Sequence, residues 1–167
     1  MQSMARNYQI GIFSILFTAS FTVAASAELS PSPVVINGCV IEPYTDCTEV
    51  GTGLKYANLS GANLSGANLS GLTLHGASLR NANLSGANLQ RVELDMTALT
   101  NANLTGANLT DAYFTLSNIA GANFQAAILT NVDLRNANGA REAILEGARF
   151  CNTTLPDGTV RNDHCEE

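Results

Sequence analysis

A five-residue phrase recurs through the middle of this chain and constrains its fold more than any other feature. The clearest copies are Ala57-Asn58-Leu59-Ser60-Gly61, Ala62-Asn63-Leu64-Ser65-Gly66 and Ala67-Asn68-Leu69-Ser70-Gly71. With the large apolar residue as centre, centres fall every five residues from Leu54 to Leu134. All are Leu except Phe114, Ile119 and Phe124. Ala dominates two positions before the centre and Asn one position before it. A fixed short period is the mark of a solenoid.

A period of five suits neither an ordinary helix nor a flat strand. In a helix, successive fifth residues lie about 500° apart, so the Leu stripe would wind around the rod. In a strand, alternate Leu residues would face opposite ways. A square coil satisfies the pattern: each phrase forms one side, the chain turns a corner every five residues, and every centre points inward. Four sides then make a coil of 20 residues.

The columns of the sequence carry this longer period independently. Call the sides centred on Leu54, Leu74, Leu94, Phe114 and Leu134 side one. Its small position reads Thr52, Leu72, Val92, Ala112 and Val132, whereas the other sides carry Ala, Thr97 or Ser117 there. Its Asn position reads Gly53, Thr73, Glu93, Tyr113 and Asp133, without a single Asn. Side three reads Asn63, Asn83, Asn103 and Asn123. Coils of this kind stack about 4.8 Å apart through backbone hydrogen bonds. Right-handed winding is expected, as for parallel crossovers generally. Ala lets backbone approach the Leu column, Gly at corners supplies the positive φ of type II turns, and Asn bonds corner backbone groups.

These A(N/D)LxG phrases resemble those of pentapeptide-repeat proteins. The resemblance covers roughly residues 52–155 and implies an all-β right-handed quadrilateral parallel β-helix. The ending Cys151-Asn152-Thr153-Thr154-Leu155-Pro156-Asp157-Gly158 is also similar to the C-terminus of exported cyanobacterial members. The whole chain resembles a small thylakoid-lumen member, which implies a non-enzymatic scaffold without a cofactor.

The flanks are read from their own residues. Residues 1–27 form a candidate signal peptide: Arg6 supplies the positive start, Ile10 to Val23 the apolar run, and Ala25-Ser26-Ala27 the cleavage site. The apolar run is short for a span, which takes about 20 residues. Cleavage would leave seven basic against 14 acidic side chains. That balance argues against nucleic acid or an anionic membrane as partner. The expected compartment is a thylakoid lumen or a periplasm. Residues 28–51 read as a lead-in and cap, since a solenoid end must be covered. Residues 52–155 are the repeat body, and 156–167 a turn and polar tail. The phase slips by one residue near 139–145, where Gly139 holds a centre position and Leu145, Phe150 and Leu155 resume the step. A short helical turn and a one-residue bulge both fit that slip.

All four cysteines lie outside the regular repeats. About four coils separate Cys39 and Cys47 from Cys151 and Cys165, some 20 Å at the strand spacing. Bonded cysteines need Cα atoms within about 7 Å. The expected pairs are therefore Cys39–Cys47 and Cys151–Cys165. Free buried thiols are the competing reading. Asp163, His164 and Cys165 with Cys151 do not follow a recognised zinc spacing. No nucleophile elbow, phosphate loop or paired-His motif is present, so no enzyme is expected.

Three walls are monotonous outside. Side one differs, carrying Lys55, Tyr56, His75, Glu93, Asp95, Met96, Tyr113, Leu116, Asp133 and Arg135. His75 is expected to stand alone. Exposed aromatic, Met and mixed charge suggest a protein-contact strip, and hence a structural or interaction scaffold. The competing view is that side one merely tolerates drift. Two further classes of function compete. The row Ser70, Gln90, Thr110 and Thr130 is a candidate ladder for an ordered lattice or glycan, although chemically irregular. DNA mimicry toward a topoisomerase, shown by some members of the resembled family, would suit Asp-rich rows, whereas these are mostly Asn.

Overall fold

The computed structural model describes residues 34–165. From Leu59 onward the chain repeats a single hydrogen-bonded unit. The residue before each centre pairs in parallel with the residue 20 positions on: Asn58 with Ser78, Asn63 with Asn83, Asn68 with Asn88, Thr73 with Glu93. The same offset continues to Asn118 and Asn138. Each bridge is a reciprocal pair of bonds. Leu59 N–H donates to Ser78 O at 2.7 Å, and Ser78 N–H donates to Ala57 O at 2.9 Å.

Corners close by a second repeated bond, from the N–H of the small residue to the preceding centre, such as Ala62 N–H to Leu59 O at 3.1 Å. The residue just before the small one has φ near +60°, as at Gly61 (71°), Asn81 (56°) and Leu116 (59°). That is position i+2 of a type II turn. The left-handed backbone is present at every corner from Tyr56 to Asn136, whether or not glycine stands there. Asn and Asp tolerate it. Tyr56, Arg91, Met96, Leu116 and Ala126 adopt it at a steric cost of roughly 1 kcal/mol each.

The interior is a stack of the predicted centres. Every centre from Leu54 to Leu134 is buried, joined by Phe150 and by the small residues Ala67, Ala77, Ala82, Ala87 and Ala102. Phe114 and Phe124 meet edge to face with centroids 6.1 Å apart. Three buried hydroxyls stand at small positions. Thr97 Oγ1 donates to Leu74 O at 2.8 Å, and Thr153 Oγ1 donates to Leu129 O. Ser117 Oγ is buried with no hydrogen-bond partner among the described residues. Ser117→Ala removes an unpaired buried hydroxyl and should raise stability by about 1 kcal/mol, read as a higher denaturant midpoint at constant m-value.

From Asn58 onward the register changes once. Asn123 pairs with Ile144 and Asp133 with Thr154, an offset of 21 rather than 20. Strand β3 (Ile128–Thr130) pairs with β4 (Arg149–Cys151) in the same shifted register. Residues 139–143 form turns and a bend, with no helix. At the other end, β1 (Val35–Ile36) and β2 (Cys39–Val40) make an antiparallel hairpin, followed by the short 3-10 turn Thr48–Val50. The chain finishes with the antiparallel pair β5 (Thr153–Thr154) and β6 (Val160–Arg161). Disulfides join Cys39 to Cys47 and Cys151 to Cys165, with Cα atoms 5.1 and 4.8 Å apart.

Candidate functional site

Side one presents its residues in parallel rows, one residue per coil. Because the period is 20, Glu93 sits between Thr73 and Tyr113, and Tyr113 between Glu93 and Asp133. The corner row reads Tyr56, Gly76, Met96, Leu116 and Asn136. Tyr56, Met96, Tyr113 and Leu116 are all exposed, at 67, 56, 55 and 50%. Tyr56 folds across the next coil, so that a Cβ on Gly76 would lie 2.5 Å from its ring. His75 is not alone as the sequence suggested. It meets Tyr56 edge on at 5.6 Å, because residues 19 apart are neighbours across coils. Lys55 Nζ lies 5.4 Å from the same Tyr56 ring, a cation–π contact.

The acidic members of the strip are hydrogen-bonded within the wall. Glu93 accepts from Thr73 Oγ1 at 2.9 Å, and Asp95 accepts from Thr115 N–H at 2.8 Å. Asp133 takes the Arg135 guanidinium in a fork of Nε and Nη2, which holds its carboxyl below the usual range. Side one offers to solvent the exposed Tyr56, Met96, Tyr113 and Leu116 beside exposed Lys55, Glu93 and Arg135.

The Asn column does more than bond corner backbone groups. From Asn58 to Asn123 the Asn Oδ1 of this column accepts the N–H two residues on, as Asn103 does from Thr105 at 3.1 Å. The amides also bond one another across coils. Asn103 Nδ2 donates to Asn83 Oδ1, and Asn83 Nδ2 to Asn63 Oδ1, both at 3.2 Å. On the next side Asn88 Nδ2 donates to Asn68 Oδ1 at 3.1 Å, and Asn68 Nδ2 to Asp46 Oδ2 at 3.1 Å. The 20-residue spacing of Asn63, Asn83 and Asn103 was the signal for these ladders. Asp46 ends one of them with a group that only accepts. The Thr48 backbone N–H, the Thr48 hydroxyl and then Asn68 hold its pKa below the ordinary carboxylate value.

Elsewhere the chemistry is sparse. Among the described residues no group of three or more His, Cys, Asp or Glu is placed to hold a metal. His164 Nδ1 instead accepts from Phe150 N–H at 3.3 Å. The row Ser70, Gln90, Thr110 and Thr130 is half-buried, and Ser70 and Thr110 bond their own Asn carbonyls. A cavity of about 450 Å³ at the shifted last coil is lined by Ile119, Leu134, Leu145 and Leu155, with Arg141 and Asp157 at its rim. The Thr159 hydroxyl and N–H take the Asp157 carboxylate and lower its pKa. No helix among the described residues is long and apolar enough to cross a membrane.

Three solved structures of other proteins are similar to the chain. HetL, a pentapeptide repeat protein of the cyanobacterium Nostoc involved in heterocyst differentiation regulation, is 25% identical, with 64% of this chain and 65% of that chain covered at a TM-score of 0.45. Rfr23 of the cyanobacterium Cyanothece is 38% identical over 60% of this chain and 61% of that one, with a TM-score of 0.40. A pentapeptide repeat protein of the Arabidopsis thaliana thylakoid lumen is 28% identical over 66 and 72%, with a TM-score of 0.36. The chain thus spans less than two thirds of the length of the first two. No curated protein sequence is significantly similar. The sequence model described as pentapeptide repeats matches eight copies, over residues 57–95, 97–136 and 117–157. Those are the residues whose centres stack and whose bridges recur every 20 positions, or 21 into the last coil, and the chain belongs to the pentapeptide-repeat family.

Proposed function

We propose that this protein is an exported, non-catalytic scaffold that binds another protein through the apolar strip of side one. Pentapeptide-repeat proteins wind as right-handed quadrilateral β-helices, and this chain is read as doing the same, with a cap at each end, of which residues 34–51 and 156–165 are described. Export through removal of residues 1–27, which lie outside the described residues, is part of this proposal. The two disulfides favour an oxidising compartment such as a lumen or periplasm.

One observation carries the docking assignment. Met96 and Leu116 are held at φ of 57° and 59° on the exposed corner row, and Tyr56 at 58°. Glycine or Asn would fill such corners at lower cost, as they do at Gly76 and Asn136. Large apolar side chains placed in solvent and in the left-handed region oppose both solubility and stability. Contact with a partner is the use that offsets those costs.

The expected result separates this from mere drift. Leu116→Asn should keep or slightly raise the melting temperature, by about 1 kcal/mol of stability at most. The same variant, and Met96→Ala with Tyr113→Ala, should lose crosslinks from Lys55 to a recurring partner in intact cells. Unchanged crosslinks in all three variants would remove side one as the contact face.

A further inference from the structure

The end of the stack at the first coil presents one filled groove and one unfilled groove of identical sequence. Within the stack, the residue before each centre bonds the preceding coil through both backbone groups. Asn83 N–H donates to Ala62 O, and Asn83 O accepts from Leu64 N–H. The first coil has no full coil before it among the described residues. At Ser65-Gly66-Ala67-Asn68 the segment Tyr44–Cys47 takes that place. Tyr44 N–H donates to Ser65 O at 2.8 Å, Asn68 N–H donates to Thr45 O at 2.8 Å, and Cys47 N–H donates to Asn68 O at 3.0 Å. Asp46 accepts the Asn68 amide, and the Tyr44 ring lies so close that a Cβ on Gly66 would sit 2.4 Å from it.

One side earlier the chain reads Ser60-Gly61-Ala62-Asn63, the same four residues. There Ser60 O, Asn63 N–H and Asn63 O have no backbone partner among the described residues, and Asn63 Nδ2 has no acceptor. No atom of the described residues lies within 4 Å of where a Gly61 Cβ would be. A groove of about 270 Å³ runs along these atoms, with Val34, Ile36 and Ile41 forming its other wall. Val34 is exposed, and Ile36 and Ile41 are half-buried.

The geometry points to Ser60–Asn63 as a docking site for an extended segment of another protein, with the pattern aromatic–any–Asp–apolar, added as a parallel strand. The pattern is read from Tyr44-Thr45-Asp46-Cys47 in the filled groove. The aromatic ring would lie on Gly61, and its N–H would donate to Ser60 O. The next carbonyl would accept from Asn63 N–H, and the Asp carboxylate would accept from Asn63 Nδ2. The fourth N–H would donate to Asn63 O. Its side chain is apolar because Cys47, its counterpart, is buried. Main-chain bonds along an open strand edge supply affinity in such strand addition, and alternate side-chain seats supply specificity. This site is at the end of the stack, separate from the strip of side one.

The test uses the full chain and a synthetic peptide with blocked ends containing Tyr-Thr-Asp-Val. Amide signals of Gly61 and Asn63 should shift saturably, and hydrogen exchange at the Asn63 amide should slow at least tenfold. Asn63→Asp keeps the acceptor oxygen used by Ser65 and Asn83, as Asp46 does for Thr48 and Asn68, so its melting temperature should hold. It should weaken the peptide at least tenfold, and a peptide with Lys in place of Asp should recover binding to that variant. Four results would overturn the site. They are no saturable binding at millimolar peptide, undiminished binding by Asn63→Asp, an Asn63 amide already protected in the free chain, and protection that rises with protein concentration alone. The last of these would assign the edge to a second copy.

Discussion

Leu104→Ala should destabilise the protein by about 2–5 kcal/mol, although it leaves the surface unchanged. Leu104 is wholly buried in the middle of the stack, with Leu84 behind it and Phe124 ahead in the same column. Truncation removes transfer free energy and also leaves a void, because the coils on both sides are tied by backbone bonds. Leu104 N–H donates to Asn123 O and Leu84 N–H to Asn103 O, both at 2.7 Å, so neighbouring backbone has little freedom to collapse inward. The result should therefore fall above the low end of the range. Chemical denaturation with circular dichroism measures it, and Met96→Ala on the exposed corner serves as the comparison with an expected change near zero. Equal midpoints for the two variants would contradict the inward stack.

The fold is legible in the sequence wherever a physical constraint acts on one residue type at one spacing. Only apolar residues fill the centres, so the Leu positions and their burial were legible together. The period of 20 was legible because the four sides differ in composition, and Asn58↔Ser78 and Thr73↔Glu93 pair at that offset. Corner conformation was only partly legible. Gly61 and Gly106 advertise positive φ, whereas Arg91, Met96 and Leu116 hold it because the bridges on both sides of the corner fix the chain path. Tertiary bonding overrides local preference at those positions, and sequence shows only the preference.

Contacts between coils were the less legible part of the candidate site. His75 looked solitary because its partner Tyr56 is 19 residues away, a distance that becomes adjacency only after coiling. The same holds for the Tyr44 ring over Gly66. Conversely, Glu93, Asp95 and Asp133 looked like surface charge free to meet a partner. Their bonds to Thr73, Thr115 and Arg135 lie within the rows of the wall itself, which leaves the exposed Tyr, Met and Leu side chains as the distinctive surface of side one.

Gly139→Ala should be among the most damaging single changes outside the Leu column, costing about 2–4 kcal/mol. Two independent demands meet at this residue. Its φ is 77°, in the left-handed region, where an added Cβ costs roughly 1–2 kcal/mol. In addition, that Cβ would lie 2.5 Å from Ala120 Cβ and 2.6 Å from both Ala120 Cα and Ala120 N. Backbone cannot step aside as a flexible side chain can, and Ala120 O is bonded to Asn101 N–H at 2.9 Å in the coil before. Gly139 stands where a Leu centre would be, at the point where the offset passes from 20 to 21, so the close approach replaces a packed side chain with packed backbone. Gly86→Ala isolates the first demand, because φ there is 66° and nothing lies within 4 Å of the new Cβ. It should cost about 1 kcal/mol. A clear excess for Gly139→Ala over Gly86→Ala in denaturant midpoint measures the backbone contact. Equal losses would mean that the last coil relaxes around the added methyl and that the contact with Ala120 contributes nothing.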